Sequence, residues 1–396
     1  MIFEFLFFLS SGAVVYSYAL YPWLLRYLAQ GKTENVEVWN PDDKLPIVFV
    51  VVSAYNEEKV IHGKIESVFN STYPADKIRL VIGSDNSSDM TDAIISKSAA
   101  ENNRITFKPF SGRNGKSMVM NTLIEELRNS VPEWNDSILV MTDANVFFTE
   151  ETLFQLTKHF KNKSIGQVAA NILNKGMRND GISFQEQAYI QRENKIKYHE
   201  GILWGSMMGA FGACYAIRTP CWKTIPRGYL MEDFYLSMNV LSMGFKAIKE
   251  MKAVCYEDVS NEMSEELKRK TRIQAGNFQN LSSYWKLLFR FNAVSFCFLS
   301  HKVIRWFGPV LILASLISNF FLIDKHWFYS LTFWLQCILL LSPLVDFILK
   351  STGIHIRLLR YISYFYAMNY ALIKGMLMFI KGVKSNVWSP TQRNIS

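Results

Sequence analysis

Cysteine is scarce. The 396-residue chain has five (Cys214, Cys221, Cys255, Cys297 and Cys337), scattered without a Cys-x-x-Cys pair or matching histidines. That argues against a disulfide framework and a zinc site, and it fits a reducing compartment. Charge is also sparse. Asp, Glu, Lys and Arg make up 19% against 49% hydrophobic residues, which excludes a disordered chain. There is no internal repeat and no low-complexity linker. The first apolar run has no basic start and is not followed by a small-residue cleavage site, so it reads as an anchor rather than a signal peptide. The Gly-x4-Gly-Lys-Ser spacing of a Walker A loop is absent.

What is present suggests a soluble domain joined to membrane helices. The net charge is +9 and aromatics reach 14%. A basic chain can meet nucleic acid, anionic lipid or an anionic substrate. The aromatics favour lipid, because Trp and Tyr collect at membrane interfaces. The positive charge lies largely near the ends of apolar runs, so nucleic acid is not an expected partner. Residues 5–25 carry no charge, about the length a helix needs to span. Glu4 precedes this run and Arg26 and Lys32 follow, which places the following chain in the cytosol. Two more uncharged runs, 306–323 and 327–345, flank a polar turn of Asp324, Lys325 and His326. The basic stretch Lys350, His355, Arg357 and Arg360 returns to the cytosolic side. A last run, 361–380, is broken by Lys374, and whether it crosses decides the side of the C-terminus.

The chain therefore divides into an anchor and linker (1–43), a cytosolic domain (44–263), interfacial amphipathic helices (264–302), transmembrane helices (303–381) and a tail (382–396). Trp285, Lys286 and Arg290 give the interfacial part its character. The expected location is the cell (inner) membrane, multi-pass, in contact with membrane lipids. Oligomerisation is open.

The cytosolic domain reads as alternating α/β. Apolar runs at 47–52, 80–82 and 138–141 suit parallel strands buried on both faces, with helical periodicity at 60–69 and 117–127. Each run ends in a polar cluster. These are Ser53-Ala54-Tyr55-Asn56-Glu57-Glu58, Gly83-Ser84-Asp85-Asn86-Ser87-Ser88-Asp89 and Thr142-Asp143-Ala144-Asn145. Any one of them is ordinary turn chemistry. Three on successive strands point to a shared crevice at the carboxyl ends of the strands. Asp85 can accept hydrogen bonds from a nucleobase. Asp143 and Asn145 offer hard oxygen ligands for Mg²⁺ or Mn²⁺. Gly112 to Lys116 reads either as a phosphate-cradling loop at a helix start or as a basic surface loop. Glu232-Asp233, ahead of a helix at 235–243, are either capping groups or a general base.

Taken together, these residues resemble the GT-A glycosyltransferases of family 2. The run Val51 to Glu58 is similar to the family's opening. Asp85 matches its nucleotide-binding Asp, with Ser84 where an acidic neighbour is common. Gly115, Lys116 and Asn121 resemble its Gly-Lys-x4-Asn element. Thr142-Asp143-Ala144-Asn145 stands at its Asp-x-Asp, with Asn145 for the second Asp. Residues 209–218 resemble the stretch lining donor and acceptor. Arg269-Lys270-Thr271-Arg272-Ile273 lies where the membrane synthases of cellulose, hyaluronan and poly-N-acetylglucosamine have Gln-x-x-Arg-Trp, with Arg272 matching the Arg.

The resemblance implies an α/β GT-A (Rossmann-like) cytosolic domain with transmembrane and interfacial helices at both ends. It implies inverting sugar transfer, with Asp233 as base and Glu232 beside it. Nucleotide binding would fall to Ala54, Tyr55, Asn56, Glu57, Asp85, Lys116 and Asp143, and metal binding to Asp143 and Asn145. Phe211, Gly212, Arg269 and Arg272 would face acceptor or diphosphate. Trp388, Thr391 and Arg393 resemble a gating segment, the alternative being an unstructured tail. The expected donor is a nucleoside-diphosphate sugar, a UDP-sugar in the first instance, and the expected acceptor a growing extracellular or capsular polysaccharide. Single transfer to a lipid carrier is the alternative. An inactive membrane scaffold on the same fold is a third reading.

Overall fold

The computed structural model describes residues 1–33, 35–175, 183–258 and 263–383, so Trp388, Thr391 and Arg393 lie outside the described residues. The chain forms two compact units. One, drawn from Ala29–Met177 and Gln191–Ser260, is built on an eight-stranded mixed sheet. Its strands are β1 (Val48–Ala54), β2 (Ile78–Ser84), β3 (Ile105–Pro109), β4 (Ile138–Asp143), β5 (Val146–Phe148), β6 (Ile165–Lys175), β7 (Cys214–Arg218) and β8 (Lys246–Asp258). The order across the sheet is β3-β2-β1-β4-β7-β6-β8-β5.

The first four strands pair in parallel. β1 shows why: Val48, Val50, Val51 and Val52 are all buried, and an unbroken apolar strand needs cover on both faces. The register brings three strand ends level. Ala54 lies opposite Ser84, and Ser53 opposite Asp143. The polar clusters that follow them therefore open at one edge of the sheet, where α/β proteins bind ligands. Beyond β4 the sheet departs from the all-parallel expectation. β7 runs antiparallel to both β4 and β6, and this returns residues 209–213 to the carboxyl end of β4.

The other unit, drawn from Met1–Leu28, Arg178–Ile190 and Asn261–Gly382, is helical. Among the described residues, Ile2–Leu28 and Trp327–Ser351 are long and apolar enough to cross a membrane. The expected span over 306–323 is instead a broken pair, Ala293–Trp306 and Gly308–Phe320, bent by 66°. The second half has 13 residues, about 20 Å of helix against the ~30 Å of a hydrocarbon core. Glu4 and Lys325 pair at 3.3 Å, which sets the start of the first helix beside the polar turn.

Helix Ile2–Leu28 has a π-bulged turn at Tyr16–Leu20, and Phe298–Val303 forms another. The two face each other. Ser17 donates to the Ser300 carbonyl at 2.7 Å, and Arg305 donates to the Ser17 hydroxyl and carbonyl at 3.1 and 2.9 Å. Farther along, Ser11 and Ser315 share a 2.6 Å hydrogen bond.

Helix Arg357–Ile380 lies along helix Met263–Tyr284. Gly375 makes this possible, because a Cβ there would sit 2.5 Å from Gln274 Cβ and 2.8 Å from Ala275 N.

Candidate active site

The sheet unit gathers most of the expected residues at its strand ends, but several serve to build the site itself. Asn56 adopts a left-handed backbone (φ 52°), and its side-chain oxygen accepts from Ser88 N at 2.8 Å. The Glu57 N–H donates to Thr91 Oγ1 at 2.8 Å, and the Glu57 side chain is almost wholly buried. Together they staple the turn after β1 to the turn after β2.

Asp85 is 0% exposed. Its Oδ1 accepts from Asn114 N at 2.6 Å, and its Oδ2 from Gly115 N at 2.9 Å and Arg113 Nε at 3.3 Å. The glycine-rich loop therefore cradles this carboxylate. That corrects the picture of 112–116 as a ready phosphate cradle: two of its N–H groups are spent on Asp85. Gly112 and Gly115, at φ 75° and 82°, permit the wrap. Arg113, which the sequence reading passed over, stacks its guanidinium 3.2 Å above the Tyr55 ring and so joins Tyr55 to Asp85.

Lys116 opens helix Lys116–Ser130 and bridges two acids. Its Nζ lies 2.6 Å from Asp143 Oδ1 and 2.6 Å from Glu232 Oε1. Burial acts to lower its pKa, but Asp143 and Glu232 hold the ammonium well above the ordinary lysine range. The same helix fixes the approach to Glu232. Asn121 accepts from Ile225 N and donates to the Ile225 carbonyl, each at 2.9 Å. Helix Glu232–Ser242 begins at Glu232, three residues ahead of the expected start, so both acids occupy its first turn.

Asp233 is 6% exposed and accepts from Phe234 N at 2.7 Å. Burial first, and then the adjacent Glu232, push its pKa up to about 7, against the pull of Lys116, the Phe234 N–H and Lys197. Gly212 leaves bare backbone beside this carboxylate, since a Cβ there would stand 3.1 Å from Asp233 Oδ2. Ser237 ties the two segments together: its hydroxyl donates to the Asp233 carbonyl and accepts from Ala210 N. Phe211 carries Lys197 Nζ 3.5 Å above its ring. Tyr215 is buried, and its hydroxyl has no hydrogen-bond partner among the described residues. Neither Lys197 nor Tyr215 has a sequence signal, because each lies within a regular helix or strand.

Arg269 and Arg272 belong to the helical unit. There Arg269 is committed to carboxylates, with Nε 2.9 Å from Glu266 and an NH2 contact of 3.1 Å to Glu186. Lys270 also reaches Glu186, at 2.8 Å. Arg272 is half-buried on the same helix.

Residues 49–221 match the family described as glycosyl transferase family 2. A probable glycosyltransferase, YdaM, of Bacillus subtilis (strain 168) is 33% identical over 101 residues, 24% of each chain. A β-monoglucosyldiacylglycerol synthase of Trichormus variabilis is 29% identical over 126 residues, 31% of this chain and 25% of its own. The chain thus spans about a quarter of the length of these curated relatives. Among solved structures, the mannosyltransferase PcManGT from Pyrobaculum calidifontis, in complex with GDP-Man and Mn²⁺, shares the fold with a TM-score of 0.69. The match is at 18% identity and covers 96% of this chain and 98% of that one. The sheet unit is thus a Rossmann-like GT-A core, and its residues 49–221 are similar to glycosyl transferase family 2.

Proposed function

We propose that the protein is a membrane-embedded inverting glycosyltransferase that uses a nucleoside-diphosphate sugar. The observation that carries this reading is the Asp143–Lys116–Glu232 bridge beside a buried Asp233 whose pKa is poised near neutrality. Asp233 takes the proton from an acceptor hydroxyl. The freed oxygen bonds to the anomeric carbon from the side opposite the diphosphate, which departs with the electron pair of the broken bond. Lys116 lies where negative charge accumulates on that leaving group. Tyr55, Asp85 and Arg113 form the corner that would take the base.

Asp143 and Asn145 would hold Mg²⁺ or Mn²⁺. The donor set fits such an ion: both ligands are hard oxygens and Asp143 is half-exposed. Among the described residues no three His, Cys, Asp or Glu converge on one point. This suits an ion bound by one or two protein oxygens that takes the rest of its shell from water and phosphate. When bound, it would neutralise charge on the departing diphosphate.

A multi-pass place in the cell (inner) membrane, with the sheet unit cytosolic, follows from the charge asymmetry around the first helix. The acceptor is then a glycan or lipid held at that surface. The synthase-like layout favours a growing polysaccharide made from a UDP-sugar. A second reading, single transfer to a lipid, is favoured by the small count of candidate spans, two or at most three among the described residues, and by Ile273 in place of an aromatic platform.

The test is turnover of radiolabelled UDP- and GDP-sugars by protein in nanodiscs with Mg²⁺ or Mn²⁺. Large, enzyme-digestible product supports the polysaccharide, and label only in the organic phase supports the lipid. Nucleotide binding without turnover of any donor overturns the enzymatic reading.

A further inference from the structure

Lys64 lies on helix Ile61–Phe69 and is 0% exposed. Its ammonium donates to Thr142 Oγ1 at 3.0 Å and to the Val146 carbonyl at 2.5 Å, and it stands 3.7 Å from the centre of the Phe148 ring. All three N–H groups thus have a receiver, yet among the described residues no carboxylate lies within ion-pair distance. The two oxygens it grips belong to the residue just before Asp143 and the residue just after Asn145. The turn carrying both expected metal ligands is therefore pinned from beneath at each end by one cation. The Thr142 hydroxyl extends the chain, donating in turn to the Asp143 carbonyl at 3.4 Å.

The approach is built for this contact. The neighbouring Gly63 has no side chain, and a Cβ there would meet Phe147 at 3.1 Å, so the helix can back closely onto β5. A buried ammonium is costly when methionine would fill similar space, and burial draws the pKa of Lys64 down to about 8, leaving it charged at neutral pH. Helix amphipathicity alone does not account for a charge in this place.

We infer that Lys64 is a positioning residue for the donor diphosphate: it fixes the 143–145 turn from below and adds positive potential under the site where the diphosphate binds. This rests on the nucleotide-sugar reading above. Groups that orient metal ligands from behind typically change affinity about 10- to 100-fold when removed.

The experiment is titration calorimetry of the full chain in detergent with UDP, GDP, uridine and guanosine, with and without Mn²⁺. Lys64→Met is expected to weaken binding of the preferred nucleoside diphosphate by about 10-fold or more and to raise the Mn²⁺ concentration it requires. Affinity for the matching nucleoside should stay unchanged. Thr142→Val, which removes one acceptor and spares Lys64, should show a smaller loss of the same kind. The double variant should be no worse than Lys64→Met. If Lys64→Met does not fold, Thr142→Val carries the same comparison. Equal losses for nucleoside and diphosphate would mean a merely structural role and overturn the inference, as would a variant that binds like wild type. Wild-type protein that binds neither UDP nor GDP would instead overturn the nucleotide-sugar reading, and this inference with it.

Discussion

Replacing Asp233 by Asn should abolish activity and yet stabilise the protein, by an amount that depends on pH. In the folded chain the Asp233 pKa rises from 3.8 to about 7. That difference corresponds to about 4 kcal/mol. The folded state keeps this proton to a higher pH than the unfolded chain does. Between about pH 4 and 7 the native state therefore binds more protons, and stability falls as pH rises through that window. Above about pH 7 the full cost of the buried carboxylate is present. Asn carries no charge to desolvate, and its side-chain oxygen can still accept the Phe234 N–H. The stability gap between Asp233→Asn and wild type should thus be small near pH 4 and widen by about 2–3 kcal/mol between pH 5 and pH 8. For a domain of this size that is a relative melting shift of about 5–10 °C, measurable by thermal unfolding in detergent at the two pH values. Activity should fall by at least about 100-fold at every pH, as expected on losing a general base. A gap that does not change with pH would refute a carboxylate held near neutrality by burial and Glu232.

Three further outcomes are expected. Lys116→Met leaves Asp143 and Glu232 facing one another and takes a stabilising cation from Asp233, so the rising limb of the pH–rate profile should move alkaline by about one pH unit. An unmoved limb would mean that Lys116 does not act on the base. Tyr215→Phe removes a buried hydroxyl that lacks a partner, so thermal unfolding should show stability unchanged or raised by about 1 kcal/mol. Gly375→Leu drives a side chain into the backbone of helix Met263–Tyr284. It should lower the stability of the helical unit by about 1–3 kcal/mol, with Gly375→Ala milder.

The parallel half of the sheet was legible because its strands are buried on both faces and each ends in a polar cluster: Val48 to Val52 announce β1, and Asp143 marks the end of β4. The antiparallel β7 was not, since Cys214 to Arg218 is short and its partners are distant in sequence. Asp233 could be named from the order of motifs. Its elevated pKa could not, because that depends first on burial, which only the fold creates, and then on Glu232 beside it. Lys64 carries no signal at all: within the helical pattern around it, a lysine reads as solvent-facing, and only the packing of β5 behind it shows otherwise. The run 306–323 reads as one span because hydropathy does not register the 66° break at its start.

The two facing π-bulges carry a consequence for tolerance to insertion and deletion. A π-bulge holds one residue more than the surrounding α-helix needs. Deleting one residue within Tyr16–Leu20 would restore regular winding, a locally favourable change. Each residue of an α-helix turns the chain by about 100°, so the repaired helix would present a different side before and after that point. Ser11 could then meet Ser315, or Ser17 could meet Ser300 and Arg305, but both sets could not form at once. The irregular turn acts as a phase adjuster, letting one straight rod satisfy two sets of neighbours whose angular spacing no ideal helix reproduces.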